Sequence, residues 1–166
     1  MRYYFLSQFF YNDYPAANFP EIERKSNRPY ATICITINNH IFALPLRSHI
    51  NHPYAYLTDK TKRCGVDFSK AVYISDNKYL DVTNKPYLRQ NEFNFLKGKE
   101  YIIKNKFISY IKKYVEAQNS LDKNKMKPFK FSTLHYFDKL INYENDILIP
   151  ITNAELSIKG NEKQTV

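Results

Sequence analysis

A chain of 166 residues with two cysteines and four histidines is about one domain long and can bury a core without disulfide or metal staples. Cys34 and Cys64 lack CxxC spacing, which excludes a zinc knuckle and a redox pair and predicts two reduced thiols, with no metal or cofactor. Lys plus Arg number 25 against 16 Asp plus Glu, a formal charge of +9; such an excess attracts polyanions by counterion release and makes nucleic acid the leading partner, although a coding bias toward Lys, Asn, Ile and Tyr is a competing source of the charge.

The N-terminal "MRYYFLSQFFYND" has neither a long apolar stretch nor a small-residue cleavage site, and no apolar run reaches the length of a membrane span. The expected location is cytoplasmic, with no membrane partner. The pattern of elements predicts an α+β chain organised as one domain over 1–150, followed by a tail at 151–166.

"RYYFL" (2–6) reads as a strand, and Ser7 as the cap of a helical turn through "QFFYNDY" that ends at Pro15. Residues 15–29 read as a polar loop. Ile33, Ile35 and Ile37 then alternate with Thr32, Cys34 and Thr36, the period of a half-buried strand. Asn38-Asn39 supplies the turn, and "HIFALPL" (40–46) is apolar enough for a strand buried on both faces, with Pro45 limiting its donors.

Residues 53–67 read as an irregular loop carrying Lys60, Lys62 and Arg63 and closed by Gly65, and "KAVYIS" (70–75) as a further strand. A long helix follows, because Ile103, Phe107, Ile111, Tyr114 and Val115 recur at three- and four-residue steps between Glu100 and Gln118. A shorter helix is expected at 132–142, with Ser132 as its N-cap. Between Lys97 and Lys130, ten lysines face only Glu100, Glu116 and Asp122. That run, with Lys104, Lys112, Lys113, Lys125 and Lys127, is either a track for a polyanion or a solvated face.

The chemistry gathers in "PLRSHINHPYAY" (45–56), where a buried strand emerges into Arg47, Ser48, His49 and His52. The three glycines are isolated, no HExxH occurs and Ser48 lies in no GxSxG, which disfavours a nucleotide-dependent enzyme. The cluster suits metal-independent RNA transesterification, since an imidazole moves protons near neutrality and a guanidinium holds the oxygens of a phosphorane. Ser48, a weak base, suits a hydrogen bond to phosphate or the orienting of the nucleophile.

Plainer readings stand beside these. Arg47 has the alternative of pairing with an acidic neighbour, His49 of being a surface residue, and His52 of fixing a loop ahead of Pro53. His40 and His135 read as structural. Arg28, ahead of Pro29, is a loop cation or a member of the cluster. Tyr30, Tyr54 and Tyr56 are candidate platforms for stacked bases, although most of the 15 tyrosines must be filler.

"NRPYATICITINNHIFALPLRSHINHPYAY" (27–56), followed by "GVDFSKAVYI" (65–74), resembles the ToxN/AbiQ group of type III toxins, most of all its TenpN-type branch. The shared features are a basic residue before the first core strand, a hairpin, a Pro-Leu-Thr/Arg-Ser motif, a histidine soon after, and a Gly-x-Asp/Asn-φ-x-Lys motif leading to the next strand. "FKFSTLHYF" (129–137) is similar to that group's C-terminal segment.

The resemblance implies a curved antiparallel sheet or partly open barrel, similar to the Kid/MazF core, with flanking helices. It implies an endoribonuclease that cuts repeat RNA into antitoxin units, leaves a 2′,3′-cyclic phosphate and is inhibited by the folded pseudoknot RNA in a closed protein–RNA assembly, acting on cellular or phage RNA in abortive infection. Ser48 matches the motif serine, Arg28 the basic residue before the hairpin and His52 the histidine. Arg47 stands where ToxN has threonine, and the lysine after the serine falls on Ile50 or Asn51. Arg47 and His49 are the expected replacements for that cation, His52 the acid or base, and Lys70 and the later lysines the grip on the RNA backbone. The runner-up function is a noncatalytic RNA-binding regulator; a third is a ribonuclease with no antitoxin.

Overall fold

The computed structural model describes residues 1–24 and 30–149. Its elements in chain order are β1 (Arg2–Leu6), α1 (Gln8–Asp13), β2 (Thr32–Ile37), β3 (His40–Arg47), β4 (Ala55–Asp59), β5 (Cys64–Asp67), β6 (Val72–Ile74), β7 (Leu80–Asp81), α2 (Gln90–Leu96) and α3 (Glu100–Gln118). The fold is α+β. All strand pairs are antiparallel, in one seven-stranded sheet of order β4-β5-β3-β2-β1-β7 with β6 also on β3.

The β2–β3 hairpin is the centre. Asn38 and Asn39 both adopt positive φ, 48° and 68°, the two-residue turn geometry whose twist matches that of the strands, and Ile37 pairs with His40 across it. The free edge of β3 is shared: Ile41–Ala43 pair with β6, and Leu46–Arg47 with β5. The amide of Leu46 donates toward β2, to Ala31 O at 2.8 Å. Pro45, one residue earlier, therefore directs its missing donor at the gap between β6 and β5, where no ladder bond is lost.

Helix α3 covers the sheet with the predicted stripe, burying Ile103, Phe107, Ile111, Tyr114 and Val115. Phe107 meets Phe42 of β3 edge-on at 5.3 Å, an arrangement in which the positive ring edge meets a negative face, and lies tilted against Phe68 at 5.8 Å. Ser7 caps α1 through Phe10 N, as expected.

Two expectations fail. The segment 53–67 is the hairpin β4–β5 rather than an irregular loop. Its turn carries no glycine and instead places Arg63 at φ 50°, a conformation that composition does not advertise. The region 132–142 is a 3-10 turn at Leu134–Phe137 rather than a helix. Ser132 Oγ does accept from Leu134 N at 3.3 Å, but buried Thr133 ties the chain down there by donating its amide to Ser69 O at 2.9 Å and its hydroxyl to Ala71 O, and the turn does not lengthen into a helix. Strand β7 and helix α2 carry no local pattern that predicts them. The tail after 150 lies outside the described residues.

Candidate active site

Arg47 is the last residue of β3 and Asp67 the last of β5, and the two strands pair there, Arg47 opposite Gly65. Asp67 caps the following 3-10 turn, Phe68–Lys70. Its Oδ1 accepts from Ser69 N at 2.9 Å and Ser69 Oγ at 2.7 Å. Its Oδ2 is left for Arg47, which pairs with it directly, and for His52 Nε2 at 3.3 Å. Arg47 also reaches Glu23 Oε1 at 2.8 Å. Two of the predicted catalytic residues thus meet on one carboxylate whose side chain is 0% exposed.

The electrostatics follow from that packing. Burial alone would raise the Asp67 carboxyl, but hydrogen bonds from His52 and Ser69, with the Arg47 guanidinium, hold it below its ordinary value. Burial works against the charge on Arg47, yet Asp67 and then Glu23 raise its pKa overall. Lys70 is lowered, by burial first and by Arg47, against the pull of Glu23 and Asp67. Burial and the charge of Glu23 raise the Tyr30 hydroxyl, against Arg47.

An ionised carboxylate only accepts, and the Ser69 hydroxyl, 3.2 Å from His52 Nε2, gives its proton to Asp67 Oδ1, so Nε2, facing two acceptors, carries the imidazole proton. Nδ1 is then the imidazole's remaining proton-handling atom. It is buried and has no hydrogen-bond partner among the described residues.

The loop carrying His49 and His52 is stitched to the β4–β5 turn. Ile50 N donates to Arg63 O at 3.0 Å, and the Arg63 guanidinium donates to Ile50 O and, at 3.4 Å, to His52 O. Arg63 therefore holds this loop. His49 is exposed, at φ 58°.

Beside this centre lies a cleft of about 570 Å³. Tyr30, Arg47, Ser48 and Lys62 line it, and so do Tyr87, Arg89, Asn91 and Glu92 from the segment around the start of α2. His49, His52, Tyr54, Lys60 and Lys70 are not among its lining residues. Tyr54 stacks on Phe129 at 5.2 Å and meets Tyr110 at 5.1 Å, so its ring serves the core. Lys70 donates to Phe131 O at 3.0 Å.

Lys60, Lys112, Lys113, Lys125 and Lys127 are exposed and Lys104 half-buried, none of them on the cleft wall. Arg28 lies outside the described residues. Among the described residues no group of three or more His, Cys, Asp or Glu side chains is placed to hold a metal ion, and no helix is long and apolar enough to cross a membrane.

Sequence reasoning missed Asp67, Ser69, Glu23 and the whole 87–92 wall. For Asp67 a signal existed: Asp-Phe-Ser at 67–69 is the spacing at which an aspartate caps the amide two residues on. For Glu23 and the 87–92 wall there was none, because their partners are far away in sequence.

No protein-family model matches the chain, and neither does any curated protein. A solved structure reported under the words "A processed non-coding RNA regulates a bacterial antiviral system" is similar over 74% of this chain and 90% of that one, at 18% identity and a TM-score of 0.49. A likeness of that extent carries no conclusion about activity.

Proposed function

We propose that this protein is the toxin of a type III toxin–antitoxin system, a metal-independent endoribonuclease that processes a repeat RNA antitoxin and is held inactive by its pseudoknot in a closed protein–RNA assembly, acting in phage defence by abortive infection. The observation that carries the reading is the convergence of Arg47 and His52 on buried Asp67 beside a cleft lined by Ser48 and Lys62. The sequence motifs around those residues supply the antitoxin and the biology.

In this reaction the ribose 2′-oxygen attacks the adjacent phosphorus and loses its proton, the bond to the 5′-oxygen breaks, and that oxygen gains a proton. A 2′,3′-cyclic phosphate and a 5′-hydroxyl result. Arg47, with donors beyond those given to Asp67 and Glu23, stabilises the charge growing on the nonbridging oxygens. Ser48 hydrogen-bonds the phosphate, and Lys62 draws the backbone in. His52, its Nε2–H fixed by Asp67, handles a proton at Nδ1, which the 48–54 loop must uncover when RNA binds.

A second reading, a noncatalytic RNA-binding regulator, is favoured by one observation: Arg47 is already balanced by two carboxylates and Nδ1 of His52 is covered. Ser48→Ala and His52→Ala separate the two. The enzyme predicts cleavage reduced at least about 100-fold in each, with the affinity for a noncleavable RNA changed by less than about threefold. If neither the variants nor the wild type cut, the regulator stands instead; if both variants cut as wild type does, Ser48 and His52 lose their catalytic roles.

A further inference from the structure

The cleft has two unlike walls. On one, Arg47 is committed to Asp67 and Glu23. On the other, Arg89, Asn91 and Glu92 face the same space; none of their side chains makes a hydrogen bond or a close ion pair among the described residues, and Glu92, whose carboxyl burial raises, feels Arg89 only as a more distant charge that lowers it in part. Tyr87 stands with them, 90% exposed. Its neighbours in α2 behave differently: Phe93 meets Tyr3 at 6.3 Å and Phe95 meets Tyr56 at 6.0 Å, both packing onto the sheet. Among the described residues Tyr87 makes no such ring contact.

An exposed tyrosine beside polar groups whose hydrogen bonds are unspent among the described residues has the makings of a base site, with a ring to stack on and an edge to read. The cleft volume of about 570 Å³ falls in the range of small-ligand sites, fitting a single-stranded nucleotide and not a duplex. Glu92 as a carboxylate only accepts. Among the four bases, guanine alone offers two adjacent donors on its Watson–Crick edge, N1–H and the 2-amino group, which two carboxylate oxygens can take together. The Asn91 amide can donate to guanine O6 beside them.

We propose that Tyr87, Asn91 and Glu92 form a subsite for one unpaired guanine next to the scissile phosphate, with Arg89 on that nucleotide's backbone. The proposal rests on the ribonuclease reading for the word scissile, and its test does not depend on cutting.

The full chain would be titrated with short 2′-O-methyl oligonucleotides, which lack the attacking hydroxyl, differing in one central base. Guanine should bind tightest. Tyr87→Ala should weaken that complex about tenfold, while Tyr87→Phe, which keeps the stacking face, stays within about twofold. Glu92→Gln should level the four affinities, with its thermal melt checked against wild type to confirm folding. Equal affinity of the wild type for all four bases, or wild-type affinity in Tyr87→Ala, overturns the subsite. A protein that shows the guanine pattern yet leaves unmodified RNA uncut loses the ribonuclease reading and keeps the subsite; one that cuts RNA without base preference loses only the subsite.

Discussion

Asp67→Asn is expected to lose about 3 kcal/mol of stability at neutral pH, the usual cost of removing one partner from a buried ion pair. The substitution hardly changes shape, so packing is not what fails. Arg47 loses its nearer counter-charge and keeps only Glu23, and whichever way the new amide turns, one oxygen of the old carboxylate becomes a donor. If the NH₂ faces Arg47 it meets another donor; if it faces Ser69 it meets the amide and hydroxyl that Oδ1 now accepts.

The pH dependence identifies the cause. Folding lowers the Asp67 pKa, so its contribution is complete above the unfolded carboxylate value of roughly 3.9 and is lost as pH falls through the folded value. Urea midpoints measured from pH 7 to pH 2 should show wild type and Asp67→Asn far apart at neutrality and converging in acid. A gap that does not change with pH would mean that the carboxylate charge is not what holds the centre. Cleavage by the folded variant should also fall about 100-fold, since Arg47 and His52 both lose their alignment.

Gly65→Ala should be comparably damaging for a steric reason. A Cβ at Gly65 would lie 2.2 Å from Tyr56 O and 2.7 Å from Leu57 Cα, backbone atoms of the paired strand β4 that cannot turn aside. Relief requires β4 to part from β5, the strand that ends in Asp67 and pairs with Arg47. A loss of about 3 kcal/mol is expected, lowering Tm by roughly 6–12 °C. Gly98→Ala is the control: a Cβ there meets nothing within 4 Å, and only its φ of 74° resists substitution, so the loss should be about 1 kcal/mol. Equal melting temperatures for the two variants would contradict the close approach at Gly65.

The parts of the fold legible in the sequence were those set by local period and punctuation. The alternation at 32–37, the Asn-Asn turn and the apolar stripe of α3 are each written within a few residues, and each stands where expected. The β4–β5 hairpin was not legible, because its turn is Lys- and Arg-rich and its strands are short. The site was half legible. Arg47, Ser48 and His52 stood out as a cluster, and pairing of Arg47 with an acidic neighbour was one of its readings, but Asp67 and Glu23 lie 20 or more residues away and only the strand pairing of β3 with β5 brings Asp67 in. Arg63 shows the opposite error: its charge suggested RNA, and its guanidinium closes a loop.

In the proposed reaction Arg47 and His52, joined through Asp67, act on one phosphodiester by transesterification. The most direct measurement incubates the purified chain with a candidate repeat RNA in excess chelator and determines the ends of the fragments. Cutting is expected under those conditions, with 2′,3′-cyclic phosphate and 5′-hydroxyl termini. Cutting only when magnesium is restored, with 5′-phosphate and 3′-hydroxyl ends, would contradict it.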